Sequence, residues 1–270
     1  DYLDLRDALE KLNLNDASLE FQPESSVALG SGFRCGFLGL LHMDVVQERL
    51  EREFEIDLLA TSPSVAYKVT LTQGDEIEID NPSKLPSPQH IEEIKEPRVN
   101  LTILTPSTYI GTLIELVTDR RGEYKHMEYV QSSSLISGEA PSTDSVTAIG
   151  VGQTNTSGTR VMLEFNMPLS EMLVDFYDQI KSRTQGYASM DYSVADYRSD
   201  NLVRLDILVN SEPVDALSAI VHRDRAFVQG RDLVGRLREL IPRQLFEVPI
   251  QASIGSRVLA RETIKALRKN

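Results

Sequence analysis

Between residues 97 and 197 the chain alternates strand-like and helix-like stretches in an order that very few architectures accept. Residues 99–105 form an apolar run rich in β-branched residues, which reads as a strand. Ile110, Leu113, Ile114 and Val117 recur at helical spacing, and the helix they mark ends with Arg120 and Arg121 before Gly122. Residues 124–130 and 160–166 alternate like the two arms of a hairpin. Pro168 opens a second helix carrying Leu169, Leu173, Phe176, Tyr177 and Ile180, and residues 187–197 read as a closing strand. The order β, α, β, β, α, β is the split βαβ, or ferredoxin-like, motif. Residues 131–158, inside the hairpin, hold Ser, Thr and Gly with no aromatic and no Lys or Arg, which suits a mobile loop.

The same order recurs in residues 1–72, without its opening strand. Leu5, Ala8, Leu9 and Leu12 mark a helix, residues 18–22 and 27–37 read as extended, and a second helix fits residues 40–54. Strands are expected at 56–61 and 65–71, split by Ser62-Pro63. In the split βαβ order the first strand lies between the third and fourth, so its absence leaves a gap lined by unpaired backbone groups. The expectation is that this block recruits a strand or closes with a distorted sheet, and is less stable than residues 98–197. Residues 73–97, with Pro82, Pro86, Pro88 and Pro97, read as an extended linker, so the blocks on either side are expected to be hinged. The last segment reads as a strand at 202–209, a turn at 210–213, a helix containing Leu233, Val234, Leu237, Leu240 and Ile241, a strand region at 246–254, and a helix from about Arg261. It stops at Lys269-Asn270 without a cap or breaker, as a cut chain would. The fold class is therefore α+β: two ferredoxin-like domains, the first lacking its opening strand, and a small α+β C-terminal domain. The 270 residues are enough for two or three such domains.

Composition removes other classes. A chain 41% hydrophobic and 26% charged is globular rather than disordered, and no run approaches the roughly 18–20 apolar residues of a membrane span. Residues 1–10 lack the basic and apolar regions of a signal peptide. The single cysteine, Cys35, cannot form an internal disulfide, which points to a reducing compartment. The net charge of -13 argues against nucleic-acid binding on average, yet residues 198–270 carry 13 Lys+Arg against 9 Asp+Glu, an excess of four. That quarter alone has the sign to face phosphates.

Few residues suggest chemistry. Glycines 30, 32, 36 and 39 match neither GxGxxG nor GxxxxGK[ST], and they read as a turn or bulge rather than a phosphate loop. His42, His90, His126 and His222 are scattered, without metal-ligand spacing. Cys35 lies beside Arg34 but has no evident base, and Glu92-Glu93 reads as a solvated charge run. No catalytic, cofactor-binding or metal-binding residue is assigned. Arg120 and Arg121 sit where a helix dipole favours cations by about 0.3–1 kcal/mol, so a structural role and an RNA-phosphate role are both open. The remaining candidates for RNA contact are Arg223, Arg225, Arg231, Arg243, Arg261, Lys265, Arg268 and Lys269, diluted by Asp224, Asp232, Glu239 and Glu262.

Resemblance adds to this reading. Gly39-Leu40-Leu41-His42-Met43-Asp44 with Gln47-Glu48-Arg49-Leu50-Glu51-Arg52-Glu53-Phe54 resembles domain III of the translocase-type translational GTPases. Pro106-Ser107-Thr108-Tyr109-Ile110-Gly111 running to Arg120-Arg121-Gly122, and Ser182-Arg183-Thr184-Gln185-Gly186-Tyr187-Ala188, resemble their domain V. Three further stretches resemble the LepA, or elongation factor 4, family in particular: Gly32-Phe33-Arg34-Cys35-Gly36-Phe37-Leu38-Gly39; Leu205-Asp206-Ile207-Leu208-Val209-Asn210 with Glu212-Pro213-Val214-Asp215-Ala216-Leu217; and Ile241-Pro242-Arg243-Gln244 through residues 261–270.

The resemblance implies a domain III-like block at 1–80, a linker at 81–96, a domain V-like block at 97–197 with an insertion at 131–158, and a family-specific C-terminal domain at 198–270. It implies the C-terminal part of a ribosome-associated GTPase that promotes back-translocation of tRNAs on stalled or mistranslocated ribosomes and supports fidelity under stress. Its partners would be the ribosome (rRNA and ribosomal proteins), tRNA and the GTPase domain of the same parent protein, with no stable small-molecule ligand. The fragment itself is expected to be a monomer. GTP and Mg would belong to that other domain, since no phosphate loop lies in this chain. The location would be cytoplasmic, with peripheral association at the inner face of the cell membrane. A competing class is a protein-interaction module whose acidic N-terminal half docks a basic partner without touching RNA.

Overall fold

A computed structural model describes residues 2–26, 29–61, 64–130, 159–173 and 175–267. The expected insertion at 131–158 and the residues Arg268 and Lys269 lie outside the described residues. The chain divides into two compact units, one made of Asp1–Ile94 with Ser199–Asn270 and the other of Lys95–Arg198.

The second unit has the expected order. Strand β5 (Ile91–Pro106, shared with the first unit) leads to helix α3 (Ile110–Asp119), strands β6 (Glu123–Val130) and β7 (Arg160–Pro168), helices α4 (Leu169–Met172) and α5 (Phe176–Arg183), and strand β8 (Ser189–Asp200). β5 pairs with both β7 and β8, and β6 pairs with β7, so the sheet runs β8-β5-β7-β6, the ferredoxin-like arrangement. Antiparallel register sets Leu101 opposite Phe165 and Ile103 opposite Leu163. With their period of two, these residues all point to one face, where they meet Leu113, Leu116 and Val117 of α3 and Phe176 and Ile180 of α5 in a single core. Each such side chain contributes roughly 1.5–3 kcal/mol when fully buried. The helix expected after Pro168 is two helices, because Asp175 adopts a left-handed backbone (φ 56°) that a continuous helix does not accept.

In the first unit, helices α1 (Tyr2–Asn15) and α2 (Leu40–Glu53) pack on the hairpin of β1 (Glu20–Ser26) and β2 (Gly30–Gly36). Ala8, Leu9 and Leu12 of α1 meet Val46 and Leu50 of α2 around Leu19. The strand expected at 56–61 does not form. In the split βαβ order it would pair with the opening strand, and without that partner its backbone gains nothing by extending. The hairpin stands as a two-stranded sheet.

The expected linker also needs correction. Glu76–Ile79 form strand β4 against β3 (Tyr67–Leu71), β3 pairs in turn with β5, and the Pro-rich part contains two short 3-10 turns. Glu76-Ile77-Glu78-Ile79 has the alternation of a strand, at a length too short to stand out among prolines. Arg34 ties this segment to the hairpin: its guanidinium donates to both Glu24 carboxylate oxygens (2.6 and 3.0 Å) and to the Asp80 carbonyl (2.8 Å). The Arg34 hydrogen bond, opposed by partial burial and aided by Asn81, holds the Glu24 carboxyl below its ordinary range. That contribution is present above the usual carboxylate range and is lost as pH falls through the depressed value. Arg34→Met should therefore flatten the acid limb of the stability curve. An acid limb unchanged in the variant would contradict this.

The C-terminal part of the first unit places helix α6 (Arg223–Leu240) across a sheet of β9 (Leu202–Val209), β10 (Glu212–Pro213), β11 (Ala219–His222), β12 (Val248–Ile254) and β13 (Arg257–Ile264). Leu205, Ile207, Val234, Ile250, Ala252 and Ile264 form the core. The helix expected from about Arg261 is instead the strand β13, joined to β12 by a turn through Gly255 (φ 56°) and Ser256. A cross-strand partner supplies its hydrogen bonds, and burial of Ile264 fixes its register.

Gly230 lets α6 approach this sheet, because a Cβ there would lie 2.9 Å from the Ala252 Cβ. Gly230→Ala should cost about 1–3 kcal/mol in urea unfolding through overpacking, despite the better helix propensity of alanine. Ala252→Gly in the same chain should recover part of that loss, and additive losses would refute the contact.

Candidate nucleic-acid interface

The first two candidates face inward. Arg120 caps α3, donates to the Glu171 carbonyl (2.8 Å) and lies over the Phe176 ring at 5.6 Å. Arg121 occupies the left-handed position after it (φ 59°), the place expected of a glycine. Its guanidinium donates to both oxygens of Glu96 (2.7 and 2.9 Å) and to Glu171 (3.0 Å). Glu96 is only 1% exposed, so the pair sits inside the unit. Burial opposes the arginine's charge, but the hydrogen bonds and charges of Glu96 and Glu171 outweigh it, and Arg121 stays well above the ordinary arginine range. Nearby, Arg98 is buried and donates to the Asn166 side chain and carbonyl.

The C-terminal cations are distributed by helical and strand geometry. A helix turns about 100° per residue, so positions 223, 227 and 231 form one stripe of α6, which Arg238 continues. Arg225 lies about 120° away from Arg231, on the flank that Arg236 shares. The first stripe reads Arg223, Phe227, Arg231: cation, aromatic, cation. Phe227 is 51% exposed, with the Arg231 guanidinium 5.9 Å from its ring. Arg231 also stands 3.6 Å from Asp232, and Arg238 is paired with Glu262 at 2.7 Å. Glu262 and Ile264 face α6, so the period of two turns Arg261 to the opposite face of the sheet. Arg243 lies in the exposed segment between α6 and β12, and Lys265 is exposed just beyond β13. Among the described residues Arg223, Arg243, Arg261 and Lys265 form no ion pair. The structure thus brings together Arg223 and Arg231, and separates Arg225, Arg243, Arg261 and Lys265 from them.

Two features were missed by sequence reasoning. Phe227 is one; its spacing of four residues from each arginine was a usable signal. The other is the C-terminal turn of α5, where half-buried Lys181 and exposed Arg183 accompany the exposed Tyr177 and Tyr187. The Lys181 ammonium lies 5.2 Å from the Tyr177 ring, and Tyr187 is 64% exposed. Buried Thr184 fixes the turn by donating to the Ile180 carbonyl (2.7 Å) and accepting from the Ala188 N–H (3.2 Å). On the sheet face of this unit turned away from its helices the central rows are Asn100, Asn166 and Glu123; Thr102, Glu164 and His126; and Leu104, Met162 and Glu128, and the flanking rows carry Arg98 beside Pro168 and Arg160 beside Pro106 and Val130.

The family described as GTP-binding protein LepA C-terminus matches residues 209–270, and that described as Elongation factor G C-terminus matches residues 93–150 and 147–208. Elongation factor 4 of Acetivibrio thermocellus is 55% identical over 269 residues, 100% of this chain and 40% of that protein. The chain belongs to the elongation factor 4 family. Elongation factor 4 of Geobacillus thermodenitrificans is 53% identical over 269 residues, again 100% of this chain and 40% of the relative. That of Latilactobacillus sakei is 55% identical over 267 residues, 99% of this chain and 39% of the relative. The chain therefore spans about two fifths of the length of these relatives. Among the described residues no three His, Cys, Asp or Glu side chains are grouped to hold a metal, and no helix is long and apolar enough to cross a membrane.

Proposed function

We propose that this chain is the ribosome- and tRNA-contacting C-terminal part of a translational GTPase that promotes back-translocation on stalled or mistranslocated ribosomes and supports fidelity under stress. The observation that carries the proposal is 55% identity to an elongation factor 4 along the whole chain. In this reading residues 1–80 correspond to domain III, 81–96 to a connector, 97–197 to domain V and 198–270 to the family-specific domain. GTP and Mg are bound elsewhere in the parent protein, and the site of action is the cytoplasm. The stripe of Arg223, Phe227 and Arg231 supplies phosphate contacts around an aromatic face on which an unpaired base can stack. Lys181, Arg183 and Tyr187 supply a second contact of the same chemistry. Such contacts position RNA without reading its sequence.

Chemical probing of ribosomes carrying tRNA tests the proposal. Added chain is expected to protect backbone segments of ribosomal RNA and tRNA, with protections that fade in Arg223→Glu/Arg231→Glu. One observation favours the protein-docking alternative: on the outer face of α2, Leu41 is 77% exposed beside Asp44, Glu48 and Glu51. Unchanged RNA reactivity together with capture of a basic ribosomal protein would support that alternative and overturn the proposal.

A further inference from the structure

The N-terminal part of the first unit touches its C-terminal sheet region at two places, one from the β1–β2 hairpin and one from β3. The Ser26 hydroxyl donates to Asp215 Oδ1 at 2.8 Å and accepts from the Leu29 N–H at 3.2 Å, joining the β1–β2 turn to the 3-10 turn Asp215–Leu217. Asp215 is itself fixed, because its carboxylate also accepts from the Ala216 N–H at 2.9 Å. The Tyr67 hydroxyl donates to the carbonyl of Ile220 in β11 at 3.4 Å. Tyr67 is 5% exposed and Ile220 is buried, so this second contact is shielded from competing solvent. On its other side the hairpin is held by Arg34, bridging Glu24 to the Asp80 carbonyl. β1 and β2 are thus clamped between residues 80–81 and residue 215.

We infer that residues 2–94 and 199–267 are one mechanical body, latched by Ser26–Asp215 and Tyr67–Ile220, in which the α6 arginines move with α2. The chain leaves this body at Ile94 and returns at Ser199, so a polypeptide detour of about a hundred residues is bypassed by direct contacts. A reorientation imposed on the N-terminal block is then delivered to the Arg223–Phe227–Arg231 stripe by these contacts. The inference concerns the body's rigidity and holds whether or not that stripe binds RNA.

Spin labels at Glu51→Cys and Arg236→Cys, in the full chain with Cys35→Ser, test it by pulsed dipolar spectroscopy. Both label positions are exposed. A single narrow distance distribution is expected, widening about twofold or more when Ser26→Ala and Tyr67→Phe are combined. A distribution equally broad with the latch intact and removed would overturn the inference. Hydrogen exchange at Val234 and Ile250, buried core positions of α6 and β12, guards against unfolding as the cause. If exchange rises there in the double variant, Ser26→Ala alone replaces it, and the same comparison of widths decides.

Discussion

Gly122→Ala is expected to lower the stability of the second unit by about 3 kcal/mol, the upper end of what overpacking normally costs. A Cβ at this position would lie 2.2 Å from Val117 Cγ1 and 2.8 Å from the Val117 carbonyl oxygen. The first clash can be relieved by a side-chain shift, but the second involves backbone at the end of α3. The Gly122 N–H donates to that same carbonyl at 2.8 Å, so moving the turn away would break the bond that closes the helix. For a unit of this size the loss corresponds to a fall in melting temperature of roughly 10–20 °C. Val117→Ala in the Gly122→Ala chain should recover only part of it, because the carbonyl contact persists. A Gly122→Ala protein within about 0.5 kcal/mol of the parent would show that the turn relaxes freely.

Arg121→Leu should be of similar severity by a different route. It leaves the Glu96 carboxylate, nearly inaccessible to solvent, without its bidentate partner. Breaking a buried pair by removing one member costs about 3–5 kcal/mol, because the remaining charge is uncompensated. In the variant the buried carboxyl, deprived of its bidentate partner, is held in its neutral form more readily, so its folded-state pKa rises above the unfolded one. Stability is then fully present below the unfolded value and is lost as pH rises through the folded one, so the deficit should shrink in acid. Adding Glu96→Leu should restore much of the loss at neutral pH, since an apolar pair of similar volume removes the orphaned charge. A deficit independent of pH would mean that Glu96 is not the cause. Arg121 is thus an internal ion-pair partner, and its replacement is read first as a loss of stability.

The parts of the fold legible in the sequence were those set by local periodicity. Residues 99–105, the α3 repeat of Ile110, Leu113 and Val117, and the hairpin arms at 124–130 and 160–166 each carry their own signal, and their order fixed the ferredoxin-like unit. Where formation depends on a distant partner, sequence reading failed. Residues 56–61 have the composition of a strand but no neighbour to pair with, whereas Arg257–Ile264 resemble a helix in part and form a strand because β12 lies alongside. The Gly255-Ser256 pair between alternating segments was a readable hairpin signal that the helix-favouring residues near the end obscured. The candidate site divides in the same way. Its arginines stand out from composition, and the stripe of Arg223, Phe227 and Arg231 follows from 3.6 residues per turn. The loss of Arg121 to Glu96, 25 residues away, has no local signature.

If the basic stripe of α6 faces RNA, as proposed, the affinity of the chain for ribosomes depends on it, and salt titrations comparing Arg223→Glu/Arg231→Glu with Arg225→Glu/Arg236→Glu read that dependence. Both pairs change the net charge equally, and only the first reverses the stripe. Binding of the unaltered chain should fall steeply with salt, and reversing the stripe should weaken it about tenfold or more and reduce the salt slope by about 1.5–2, the share of two phosphate contacts. The second pair should have a much smaller effect. Equal losses from the two pairs, or an affinity indifferent to salt, would contradict the claim.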